Sequence, residues 1–137
     1  MDCDGSPVVI RFTPLAADKL RTNAEGTFAD DTERRHTPAR YGVSVLADGC
    51  RPGESIADVV ARVCSDTRLG GKTIAVATGA ELKKIGYDVV ADPTDTELQH
   101  HLVGEDPFTA LPDFEPLASL LEGRRMRNPA YGRGVAA

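Results

Sequence analysis

Residues 41–103 read YGVSVLADGCRPGESIADVVARVCSDTRLGGKTIAVATGAELKKIGYDVVADPTDTELQHHLV, and the order of apolar runs and capped helical stretches within them decides the fold. Tyr41 to Ala47 is rich in β-branched residues and almost continuously apolar, the pattern of a strand covered on both faces. Two glycines and a proline between Asp48 and Gly53 turn the chain. Ser55-Ile56-Ala57-Asp58 is a capping box with Asp in the place of the usual Glu. Ile56, Val59, Val60, Val63 and Cys64 come next at helical spacing as one apolar stripe. Valine is a modest helix former, so packing must hold this helix.

Gly70-Gly71 ends that excursion, and Thr73 to Ala77 extends again. Thr78-Gly79-Ala80-Glu81 is a second capping box, opening a helix of about two turns with Leu82 and Ile85 inward. Gly86 stands where a left-handed residue closes a helix. Tyr87–Ala91 and Leu98–Val103 flank the turn residues Asp92-Pro93-Thr94-Asp95, which predicts a hairpin.

Outside this block the signals thin out. Val8–Phe12 reads as a strand closed by Pro14, and Leu15–Leu20 as a brief helix. From Arg21 to Arg40 the apolar residues reduce to Phe28 and scattered alanines, which predicts a long polar loop at 21–40. Asp113 is placed to cap a last helix with Phe114, Leu117, Leu120 and Leu121 on its apolar side, Pro116 in its first turn and Gly123 at its end. Residues 124–137 form a basic tail with no apolar periodicity. The expectation is one α+β domain over residues 1–123 carrying a mixed or antiparallel sheet of four to five strands, with two to three helices packed on one face. A helix as short as Gly79–Ile85 leading into a hairpin disfavours a doubly wound sheet, whose parallel crossovers need a dozen residues or more.

At 137 residues the chain is long enough for a single core. The absence of Trp and an aromatic content of 5% make that core aliphatic. No apolar run approaches the ~20 residues that span a bilayer, and the acidic start Met-Asp-Cys-Asp-Gly is unlike a secretory signal. These features predict a soluble cytoplasmic protein, or a virion-borne one if phage-encoded, with no membrane association. A net charge of −5 disfavours a dedicated nucleic-acid binder. Cys3, Cys50 and Cys64 are odd in number and lack a CxxC pair, so reduced thiols are expected; no metal site or cofactor is read from the chain.

Two basic clusters carry what chemistry there is. Arg34, Arg35, His36, Arg40 and Tyr41 gather guanidinium, imidazole and phenol groups within eight residues, a composition suited to gripping a phosphate. In the tail, Arg124, Arg125, Met126, Arg127 and Tyr131 are residue types enriched at protein contacts, with Arg133 beyond them. His100 and His101 fall on a strand and so point to opposite faces, which prevents both from ligating one metal from one side. Thr78-Gly79 lacks the further glycines of a phosphate-binding fingerprint. The leading expectation is a small non-enzymatic binding or regulatory module of bacterial or phage setting, acting through a protein partner or as a homo-oligomer. The alternatives are an enzyme using the Arg34–Tyr41 segment on a phosphorylated or nucleotide substrate, and a winged-helix-like nucleic-acid binder using Thr78–Val103.

Overall fold

A computed structural model describes residues 2–132. Among these, six strands and four helices succeed one another in the order β1 (Val8–Phe12), α1 (Ala17–Glu33), β2 (Val43–Asp48), α2 (Ile56–Asp66), β3 (Thr73–Thr78), α3 (Gly79–Lys84), β4 (Asp88–Ala91), β5 (His100–Gly104), α4 (Glu115–Glu122) and β6 (Arg125–Arg127). The strands form one sheet in the order β4-β5-β2-β1-β3-β6, and every neighbouring pair is antiparallel. β2 and β3 flank β1 on either side, so α2 crosses over β1 as it connects them.

The α+β class holds, but the sheet has more strands than the four to five expected and the helices occupy both faces rather than one. On one face lies α2, whose Ile56, Val59, Val60, Val63 and Cys64 pack with Val8, Ile10, Leu46, Ile74 and Val76. On the other lie α1, α3 and α4, bringing Leu20, Ala24, Leu82, Leu117 and Leu121 against Val9, Val43, Val45, Ala47, Ala75 and Ala77. Inner strands with both faces covered must be apolar at odd and even positions alike, and the near-continuous apolar runs of β1, β2 and β3 reflect that demand.

The largest departure concerns residues 21–40. Most of that stretch is helix: α1 spans Ala17–Glu33, and only residues 34–42 form a loop before β2. The inward residues Ala17, Leu20, Ala24, Thr27 and Asp31 recur at helical spacing, yet they are small or polar apart from Leu20. The Asn23 carboxamide oxygen accepts from Ser44 N–H at 2.8 Å, and the Thr27 hydroxyl donates to Gly42 O at 2.6 Å. The reason lies in β1. Its pairing with β2 ends at Ile10↔Leu46, so the next rung, where Phe12 would meet Ser44, is missing. Asn23 takes the freed Ser44 N–H, and the Arg11 guanidinium donates to Ser44 O at 2.8 Å. Arg11 is buried to 2% exposure with Nε unpartnered, and desolvation lowers it to about 10.

The ends of α1, α2 and α3 share one pattern. Arg35 N–H bonds Thr32 O and His36 N–H bonds Asp31 O, the paired closure in which the residue past the cap turns left-handed. Arg35 does so at φ 60°. α2 ends identically through Arg68 at φ 54°, not at Gly70-Gly71, and α3 through Gly86 at φ 96°. Both predicted capping boxes form, Ser55 with Asp58 and Thr78 with Glu81. The Asp113 carboxylate accepts from Glu115 N–H at 2.9 Å at the start of α4.

Cys3 and Cys50 are joined in a disulfide, contrary to the expected three thiols; Cys64 alone is free, buried, and raised to about 11 by desolvation. The tail is also more structured than expected. Residues 125–127 form edge strand β6, and buried Asn128 pins the chain just beyond it, its amide donating to Leu69 O at 2.7 Å and Gly71 O at 2.8 Å. Arg133 lies outside the described residues.

Candidate functional site

The first predicted cluster becomes a closed clamp. Arg40 donates through Nε to Asp31 Oδ2 at 2.8 Å, through Nη2 to Asp31 Oδ1 at 3.1 Å, and through the same Nη2 to Asp92 Oδ1 at 2.9 Å. Its backbone N–H also reaches Asp31 Oδ2 at 2.9 Å. Asp92 is in turn shared with His100, whose Nδ1 lies 3.1 Å from Oδ2 and 2.9 Å from the backbone oxygen. The network ties the end of α1, the 34–42 loop and the β4–β5 turn into one piece.

Burial pushes the Asp31 carboxyl up, but the hydrogen bonds and charge of Arg40 together outweigh it and hold the group below the ordinary carboxylate range. The same bond to Asp31 raises Arg40, against the opposing cost of burial. Tyr41 stacks on Phe28, ring centroids 4.2 Å apart. Of the predicted anion-gripping set, then, Arg40 is spent on two carboxylates and Tyr41 on packing, while Arg34, Arg35 and His36 stay exposed on the loop. His36 Nδ1 sits 3.2 Å from Pro38 O and 3.9 Å from Asp31. His100 and His101 do face opposite sides, their strand partners being Leu46 and Val45. Asp31 and Asp92, which organise the site, fall outside the predicted set because lone aspartates carry no spacing signal.

The second predicted cluster is a free sheet edge. Arg124 leads into it and holds the Glu81 carboxylate, the same group that completes the Thr78 capping box. Arg125 pairs with Glu122 at 2.9 Å, and the Arg127 guanidinium lies 5.2 Å from the Tyr131 ring centroid. Met126, opposite Ile74, is 40% exposed and Tyr131 is 41% exposed. The backbone register fixes what the edge offers. Val76 N–H bonds Arg124 O, and Asn128 N–H bonds Lys72 O, so the even-numbered residues direct their backbone groups to β3. Arg125 and Arg127 therefore direct theirs outward, where no partner meets them among the described residues.

Other features carry less. An open cleft of ≈ 460 Å³ between the start of α1 and α4 is lined by alanines with Asp18, Glu115 and Glu122, and shares no residue with either cluster. Among the described residues no group of His, Cys, Asp and Glu is arranged to hold a metal, and no helix is long and apolar enough to cross a membrane. The α3–β4–β5 unit suggested as a helix and wing is built into the main sheet, since β5 pairs with β2. Compared with protein-family models, curated proteins and solved structures, the chain has no significant match in any of the three.

Proposed function

We propose that the protein is a small non-enzymatic binding or regulatory module that engages a protein partner through the β6 edge. The observation that carries this reading is the conjunction at Arg125–Arg127 of outward, unpartnered backbone groups with exposed Met126 and Tyr131. Backbone groups of that kind accept an added strand, and apolar side chains beside them supply contact energy. The edge is held on a rigid support by Arg124 and buried Asn128. A partner strand would thus meet a preformed surface, with little ordering cost to the module itself. The enzymatic alternative is weaker because Arg40, its central cation, is neutralised twice over within the fold.

The test compares capture of partner proteins from an extract of the source cells by the wild-type chain and by Met126→Asp and Tyr131→Ala variants. Loss of the same captured protein in both variants, with melting temperature retained, is expected. Equal capture by all three chains would remove β6 from the function.

A further inference from the structure

The two ends of the sheet are complementary. At the end opposite β6 lies β4, and the same reasoning fixes its outward groups. Asp92 N–H bonds His100 O at 2.9 Å in the β4–β5 register, so Asp88 and Val90 also direct their backbone groups to β5. Val89 and Ala91 direct theirs outward, and no other group among the described residues meets them. Each end of the sheet thus presents two residues with free N–H and C=O groups, spaced two apart.

We propose that the β6 edge of one copy adds to the β4 edge of a second copy of this chain, head to tail, with Arg127 opposite Val89 and Arg125 opposite Ala91. This rests on the reading of β6 as a protein-docking edge and names the partner as the chain itself. Three observations support the pairing. The strand directions alternate across the sheet, so β6 and β4 run opposite ways, and a copy shifted sideways without inversion offers β4 antiparallel to β6. In the register that uses both free rungs, Val90 falls opposite Met126. Both lie on the α2 face, since Met126 is opposite Ile74, which packs against α2, and Val90 is opposite Leu102, whose partner Ser44 is two residues from Leu46 of that same face, so the exposed thioether gains an apolar neighbour. The edges also differ in sign, an attraction that acts at long range: β6 reads Arg-Met-Arg, while β4 opens on Asp88, whose side chain is 40% exposed. Two different patches meet, so the contact is heterologous and repeats from copy to copy unless it closes into a ring.

Sedimentation equilibrium of the full chain, from micromolar concentration to about 1 mM, tests this in the range where a small interface acts. The expected result is a mass that rises with concentration past that of a dimer and falls back as salt screens the edges. Ala91→Pro and Arg127→Pro each remove an outward N–H that the monomer does not use. Each variant alone should stay monomeric, and their equimolar mixture should form dimers that grow no further, since only one intact pair of edges remains. Arg127→Glu, on an exposed side chain, should weaken wild-type assembly without disturbing the fold. A wild-type chain that stays monomeric throughout overturns the inference, as does assembly by either proline variant alone or a mixture that fails to dimerise. A monomeric chain whose capture of another protein still depends on Met126 and Tyr131 would overturn only this inference and leave the docking edge standing.

Discussion

Four arginines serve in this protein as internal fasteners. Arg40 closes the clamp on Asp31 and Asp92; Arg62 bonds Asp48 at 2.6 Å and Glu54 at 2.9 Å; Arg124 holds Glu81; Arg11 replaces a missing rung of the sheet. Side-chain exposures of 14% for Arg40 and 8% for Asp31 make their pair a largely desolvated one. Removing one member of such a pair strands the other's charge, so Arg40→Ala is expected to cost about 3 kcal/mol of stability, read by urea denaturation. Arg34→Ala, on an exposed side chain of the same loop, should stay within about 0.5 kcal/mol of wild type. A chain whose two variants unfold alike would show that the clamp is ornamental. The clustering of Arg34, Arg35, His36 and Arg40 was visible in the sequence. Its meaning was not, because the carboxylates that consume Arg40 sit nine and fifty-two residues away.

At the scale of elements, α2 was legible and α1 only in its first turn, although both keep one face at helical spacing. The α2 stripe is aliphatic up to its closing Cys64, and its capping box marks the start. The α1 face is built from Ala17, Leu20, Asn23, Ala24, Thr27 and Asp31, with no capping side chain at its start and Arg35 rather than glycine in the left-handed closing position. Of its polar inward residues, Asn23 serves a β2 backbone group that β1 leaves unpaired, Thr27 the Gly42 carbonyl just before β2, and Asp31 the Arg40 of the following loop, demands that arise only once the fold has formed. Asn23→Ala should therefore destabilise the fold by about 1–3 kcal/mol by orphaning Ser44 N–H, and hydrogen exchange at Ser44 should quicken. Unchanged exchange would mean that water replaces the carboxamide at no cost. β6 was illegible for a related reason: Arg125–Arg127 has no strand pattern of its own and is held by Asn128 and Arg124 at its two ends.

For the whole molecule, these fasteners set the response to acid. The Glu54 carboxyl, ordinarily at 4.5, is held down to about 2, chiefly by the hydrogen bond from the Arg62 side chain. Burial pushes Asp48 up, but the Arg62 side chain and the Gly49 N–H together more than reverse it; the Arg124 bond draws Glu81 down as well. A carboxyl whose value is lower folded than unfolded stabilises the fold fully above its unfolded value, and that contribution fades as pH falls towards the folded one. The melting temperature should accordingly be nearly flat from neutral pH to about pH 5 and fall steeply between 4.5 and about 2. In Arg62→Met, where Asp48 and Glu54 lose their shared cation, the acid slope should be shallower and the neutral-pH melting temperature lower. An acid limb of the same steepness in both proteins would place the titrating groups elsewhere.

The Cys3–Cys50 bond has a topological consequence. With a separation of 47 residues it closes β1, α1 and β2 into a covalent ring from which the rest of the chain hangs as a tail. The exposed 34–38 loop lies inside that ring. A protease that cuts there opens the circle without dividing the molecule: the nicked protein migrates as a single species until a thiol reductant separates it into two pieces. Cleavage in that exposed loop thus cannot shed a fragment, and the segment before β1 stays tethered to the base of α2 after the backbone between them is broken.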